Sequence, residues 1–276
     1  MVPARIRRRL ACVFREWMIT IVAAAAGAAV AWAGCRVAAR ARRPAVVPAG
    51  CCAVVTALAW AWLGRRWSAG GLPGWWLPVP LAVFAVAAPL VAADLRYRRL
   101  PDVLTAALAL LVGAAVAASA LALDTVAAGA VEVGTGLVVR AVAGAIGFAA
   151  VHALVRAVSP RSMGAGDVKL AAGLGGGAGA VGWSALVVTA VVASVVTLAG
   201  ACATRWARRR WEASRRGARR RRCRGPTGGA VPHGPGMVLG ACLVVAFPGT
   251  ALDGGAEPAA SVVTGSGMGA ITPAPG

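Results

Sequence analysis

The stretch DVKLAAGLGGGAGAVGWSALVVTAVVASVVTLAGACAT, residues 167–204, decides the fold. Its charged side chains, Asp167 and Lys169, stand at its start, and everything after them is apolar or small. One membrane crossing takes about 20 apolar residues, so the run is too long for one helix, and GLGGGAG at 173–179 interrupts it. Arginine decides between one helix and two. A single helix would put Arg161 and the eleven arginines of 205–224 on opposite sides of the membrane. Two helices put both on one side, which the positive-inside rule assigns to the cytoplasm. The reading is a short segment at 167–181 and a full one at 183–204.

Working outward, further apolar runs lie at 17–35, 45–63, 75–93, 103–123, 133–155 and 236–252. Together they predict an all-α polytopic membrane helix bundle of about seven or eight transmembrane segments, one of them short or broken near 167–181. The loops 96–99 and 36–44 carry three and four arginines and fall on the cytoplasmic side, while 124–132 faces outward with no basic residue. The same count puts Arg65, Arg66 and the five N-terminal arginines outside. For the N-terminus that breaks the rule, so either the first segment does not span or the start differs. That segment is too long for a signal peptide. Arg140, inside the fifth run, must snorkel or mark a later helix start. Trp60, Trp62, Trp67, Trp75, Trp76, Trp183 and Trp206 stand near span ends, as a membrane-interface belt would.

Composition supports this reading. Of 276 residues, 59% are hydrophobic and 14% charged, with mean hydropathy +0.74. A soluble domain is nearer 45–50% apolar and about 25% charged. There are 29 basic residues, of which only Lys169 is a lysine, against nine acidic ones. The Arg-rich segment 205–224 reads as a topology anchor against anionic membrane lipid. Nucleic acid is not expected as a partner, because only Trp206 and Trp211 interleave that charge. Seven cysteines without a CxxC pair exclude a disulfide framework or zinc ribbon. Two histidines, His152 and His233, allow no HExxH. No metal and no cofactor are expected. GLGGGA at 173–178 follows no strand and has no acid about 20 residues on, so it is not a dinucleotide site. Ser184 with His152 lacks a Gly-x-Ser-x-Gly setting. His152 reads as a bundle-facing polar residue and His233 as an exposed loop residue.

The nine carboxylates are therefore the scarce chemistry. Glu16, Asp124, Glu132, Glu212, Asp253 and Glu257 look peripheral. Asp94 ends FAVAAPLVAAD at 84–94, and Asp167 opens the short segment in GAGDVKL at 164–170. Both stand at apolar segment ends on one membrane face. An ionisable group at membrane depth is costly and marks function by default. Two such carboxylates can share a proton and activate water between them. Gly164 and Gly166 would admit a close backbone or substrate. The competing reading is that each aspartate caps a helix or pairs with Arg96, Arg98 or Arg161.

DLRYRRLPDVLT at 94–105 resembles the first signature of the type IV prepilin peptidase family: an aspartate, a short basic loop, then Leu100, Pro101 and Asp102 before a new helix. GAGDVKLAAGLGGGAG at 164–179 resembles the second signature, a GxGD followed by a hydrophobe and Lys-Leu. VPHGPGMVLG at 231–240 is similar to the Pro-x-Gly-Pro start of the family's last helix. The resemblance spans about 80–250. It implies an intramembrane aspartyl endopeptidase that cuts the basic leader from prepilin or pseudopilin substrates at the cytoplasmic face of the plasma membrane. Asp94 and Asp167 match the catalytic pair. Gly164, Gly166, Lys169, Pro101 and Asp102 are supporting motif positions. Asp102 reads as a helix N-cap before VLTAAL, while the role of Lys169 is open, with snorkelling to the interface as the plain alternative. Longer family members carry an N-terminal insert with two CxxC pairs that bind zinc, linked to N-methylation. Residues 1–80 hold none, and adjacent Cys51 and Cys52 do not replace it. A peptidase without methyltransferase activity is expected.

The expected organisation is N-terminal membrane segments without a motif at 1–79, a catalytic membrane domain at 80–252 and a disordered tail at 253–276. The rival function is a non-enzymatic membrane protein, either a proton-coupled transporter or a pilus or secretion assembly factor. A transporter would show paired broken helices in repeated halves, and only one break is present.

Overall fold

The computed structural model describes residues 4–126, 131–160, 163–215 and 232–249. The arginines from 216 to 224 and the expected disordered tail lie outside the described residues. Every regular element within them is helical: α1 (Ala4–Arg40), α2 (Ala49–Ser68), α3 (Pro78–Tyr97), α4 (Asp102–Val126), α5 (Val131–Val158), α6 (Ala165–Val181), α7 (Trp183–Arg215) and α8 (Gly234–Ala246). The eight helices fall on the eight apolar segments read from the sequence. Segments of α1, α3, α4, α5 and α7 are long and apolar enough to cross a membrane, and α8 is a shorter apolar helix. The protein is an all-α polytopic membrane bundle.

The break at 182 is real: Gly182 ends α6, its N–H donating to Ala178 O, and α7 starts at the next residue. At 17 residues and about 1.5 Å per residue, α6 is about 26 Å long, shorter than the hydrocarbon core of about 30 Å. It is nevertheless the most enclosed helix, buried at almost every position from Leu170 to Val181. It packs on α4, α5 and α8, and against α5 most extensively. Its glycines explain this. A Cβ at Gly144 of α5 would stand 2.6 Å from Gly175 O and 2.7 Å from Gly179 Cα. Gly173 is pressed against Leu108 of α4, and Gly177 meets Val245 of α8 and Val83 of α3. Lipid tails are as apolar as leucine, so close backbone approach and dispersion hold such helices together.

A second unit is the α1–α2 hairpin, which docks on α3. Cys35, Ala45, Val47, Cys52 and Ala93 form a buried cluster that ties the loop 41–48 to α3 immediately before Asp94. At the opposite end of α3, Trp76 is fully buried and its indole N–H donates to Val245 O at 2.9 Å. It is a core residue, not part of an interface belt, because α8 covers it. Trp62, Trp67, Trp183 and Trp206 are exposed, as the belt reading expects. Arg140 does not mark a later start: α5 begins at Val131, and Arg140 Nε is buried without a hydrogen-bond partner.

Candidate active site

Asp94 occupies the last turn of α3. The helix stops four residues later, where Arg98 turns left-handed (φ 50°, ψ 38°) and its N–H donates to Asp94 O at 2.8 Å. Pro101 follows, cannot continue a helix, and its carbonyl accepts the first N–H groups of α4 from Leu104 and Thr105. This short stop-and-start loop carries the whole first motif. The Asp94 side chain turns inward and is 5% exposed. Its Oδ2 is buried with no protein hydrogen-bond partner. Native structures leave few such groups.

Asp167 is the third residue of α6. Gly164, extended at φ −80° and ψ 159°, donates its N–H to Asp167 Oδ2 at 2.9 Å. The aspartate thus caps its own helix, and the helix dipole favours a negative charge there. Gly166 has a different task. A Cβ at 166 would stand 3.0 Å from Leu100 Cβ, so its absence lets the start of α6 lie on the loop of the first motif. That close approach brings the two motifs together.

A cavity of about 850 Å³ opens at this end of the bundle. Asp94, Pro101, Asp102, Gly164, Gly166, Asp167 and Lys169, the seven positions singled out in the sequence, all line it. Two roles differ from expectation. Asp102 is the first residue of α4 rather than its N-cap, since Pro101 supplies the capping carbonyl. Its carboxylate instead accepts from Lys169 Nζ at 2.6 Å. Lys169 does not snorkel alone: it cross-links the two motifs through an exposed ion pair.

Residues 81–202 match the model of the type IV leader peptidase family. The match runs from α3 into α7 and contains both aspartate motifs, in agreement with the resemblance read from the sequence. Searches of curated proteins and of solved structures found no match. The family is one of proteases.

The leader-peptidase segment does not make the cavity alone. Ala41, Arg42, Arg43, Pro44 and Ala45, from the loop between α1 and α2, form part of its wall. Tyr97 pins this loop: its hydroxyl donates to Val46 O at 2.8 Å and accepts from Val46 N at 3.2 Å. Gly234, which opens α8, packs directly on Asp94. His233, expected as an exposed loop residue, is half-buried and hydrogen-bonds Thr197 Oγ1 through Nδ1 at 2.8 Å. Its ring lies 6.0 Å from that of His152. His152 is buried, as a bundle-facing residue should be, with Nδ1 on Phe148 O at 2.7 Å. Sequence reading missed the loop 41–48 and Tyr97. The signal that was there is Tyr97 itself, the sole tyrosine of the chain, lodged inside the first motif.

Proposed function

We propose that this protein is an intramembrane aspartyl endopeptidase that removes the basic leader of type IV prepilin-like or pseudopilin precursors at the cytoplasmic membrane face. The observation that carries this reading is that Asp94 and Asp167, from two separate family motifs, line one cavity. Adjacent carboxylates do not both ionise cheaply, so the pair holds a proton between them. The ionised member takes a proton from water as the oxygen attacks the scissile carbonyl. The protonated member donates to the carbonyl oxygen, and the leaving amine receives a proton as the bond breaks. The cavity is walled by α3, α4, α6 and the loop after α1, and opens to water, which the reaction consumes.

The cytoplasmic orientation is supported by charge. Arg36, Arg40, Arg42, Arg43, Arg96, Arg98 and Arg99 all stand at the site's end of the bundle or in its loops. The substrate assignment rests on the family.

The test is co-expression with a prepilin-type protein, one with a basic leader, a glycine at the cut and a long apolar stretch. Its size is followed on a gel. Asp94→Asn and Asp167→Asn each abolish trimming, whereas Asp124→Asn, at the other end of α4, leaves it intact. Full trimming by either of the first two variants overturns the mechanism.

A further inference from the structure

The last helix of the bundle meets the Asp94 carboxylate at its first residue. Gly234 opens α8 and is buried, and it leaves no room for a Cβ beside Asp94 Oδ2. Asp94 belongs to α3, yet one side of its carboxylate is bounded by wherever α8 stands. That place is set on α7. Gly236 and Gly240, spaced as GxxxG, lie on the α7 backbone. A Cβ at 236 would stand 2.7 Å from Ala193 O, and one at 240 would stand 2.7 Å from Thr189 O. Small residues at this spacing let membrane helices touch backbone to backbone. Such a seam is held by dispersion, which has no direction. Its glycine face also carries no ridge to stop α8 sliding or turning along α7.

The directional contact is the next step along the same line. Thr189, Ala193 and Thr197 recur every four residues on α7, and Gly240, Gly236 and His233 meet them in reverse order. Ala193 O, the carbonyl under Gly236, accepts from Thr197 Oγ1 at 2.7 Å. With its proton committed there, Thr197 Oγ1 accepts from His233 Nδ1 at 2.8 Å. His152 of α5 adds a wall: its ring lies 6.0 Å from that of His233, and its Nδ1 donates to Phe148 O at 2.7 Å. His233 is therefore half-buried and held from a second helix. Gly234 follows it directly, and one peptide unit spans only about 3.8 Å. Any shift of the imidazole is passed on to the glycine that rests on Asp94.

We propose that His233 is a positioning residue for the Asp94–Asp167 site: its bond to Thr197 locks α8 on α7 in the register that holds Gly234 against the Asp94 carboxylate. This rests on the peptidase reading of the cavity. It gives a part in the reaction to chain beyond the segment 81–202. His233 acts through Gly234 rather than on the substrate.

The experiment uses the full chain in detergent with a prepilin-type peptide. It reads kcat, KM, melting temperature and the infrared carboxyl band that Asp94→Asn removes. Thr197→Val keeps the side chain's shape and loses the acceptor. His233→Leu loses the donor, and His233→Asn keeps an N–H near the place of Nδ1. Thr197→Val and His233→Leu are each expected to lower kcat about tenfold or more, with KM within about twofold of the wild type, and to shift the Asp94 band. Joining the two substitutions adds little to the slower single one, because both remove one bond. His233→Asn restores most of kcat. Thr204→Val, which removes a hydroxyl bonded to Ala201 O of its own helix, leaves kcat and the band unchanged. Should His233→Leu fail to fold, Thr197→Val carries the test alone. A normal kcat and an unmoved band in Thr197→Val overturn the proposal. An equal loss in His233→Asn and His233→Leu does so too, because the donated N–H would then not be what matters. A band that shifts in Thr197→Val, in a protein whose wild type cleaves no peptide, would fail the peptidase reading and leave the positioning standing.

Discussion

Gly234 rests on the Asp94 carboxylate: a Cβ at 234 would stand 2.6 Å from Asp94 Oδ2. The first glycine of α8 is thus a boundary of the proposed active site, although it lies outside the segment 81–202 that matches the leader peptidases. Gly234→Ala must push Asp94 aside or lift α8 away. Overpacking of this kind costs about 1–3 kcal/mol, which a bundle of this size can absorb. Misplacing a reacting group by about 1 Å costs about a hundredfold in rate. The expected outcome is a variant that is inserted and folded by thermal unfolding in detergent, yet trims substrate at least about a hundredfold more slowly. Near-normal trimming would mean that Asp94 does not need its present position.

Asp167 does two jobs, and substitutions separate them. As a helix cap it accepts the Gly164 N–H at 2.9 Å. In the proposed mechanism it must exchange a proton. Asparagine keeps the acceptor and loses the proton chemistry, while alanine loses both. Asp167→Ala is expected to cost about 1 kcal/mol of stability beyond Asp167→Asn, and both abolish cleavage. Equal melting temperatures for the two variants would show that the cap contributes nothing.

The helices were legible because membrane crossing imposes length and composition locally. The apolar runs at 75–93 and 103–123 became α3 and α4, and the glycine break placed the α6–α7 boundary at 182. That Asp94 and Asp167 line one cavity was legible because so few carboxylates exist that two at segment ends stand out. What was not legible depends on contacts between distant segments. Nothing local tells that Trp76 bonds to Val245, or that Asp102 prefers Lys169 to its own helix. The loop 41–48 reads as a basic connector, and only the bonds to Tyr97 make it a wall of the site.

The seam between α5 and α6 rests on glycine at three positions. At Gly144 the atoms that an added methyl would meet are backbone, Gly175 O at 2.6 Å and Gly179 Cα at 2.7 Å. Backbone cannot step aside as a side chain can, so the helices must separate. Gly144→Ala is expected to destabilise by about 3 kcal/mol and to impair cleavage by moving α6 with Asp167. Gly147, one turn on, has nothing within 4 Å, and Gly147→Ala should stabilise by about 0.5–1 kcal/mol through helix propensity. Thermal unfolding of the pair in one detergent checks both signs.

The exposed ion pair makes a weaker prediction. Lys169 and Asp102 lie 2.6 Å apart, but their side chains are 55% and 75% exposed. Pairs this open to water are worth about 0–1 kcal/mol. Lys169→Met is therefore expected to shift stability by less than about 1 kcal/mol, with the difference shrinking as salt is raised. A larger or salt-independent loss would point to a role beyond the pair.

His233 makes stability depend on pH. Thr197 Oγ1 donates its proton to Ala193 O at 2.7 Å, so at 2.8 Å it accepts from His233 Nδ1, which fixes the tautomer. Burial, and behind it His152, hold His233 below its usual value of 6.5, with Asp167 pulling the other way. Protonation is thus easier in the unfolded chain than in the folded one. The contribution to stability is complete above about pH 6.5 and is lost as pH falls below it, because the unfolded state then binds more protons. The wild type should melt at a lower temperature at about pH 5.5 than at about pH 7.5, and His233→Asn should lose less over the same interval. An identical loss in the variant would assign the acid sensitivity to other groups.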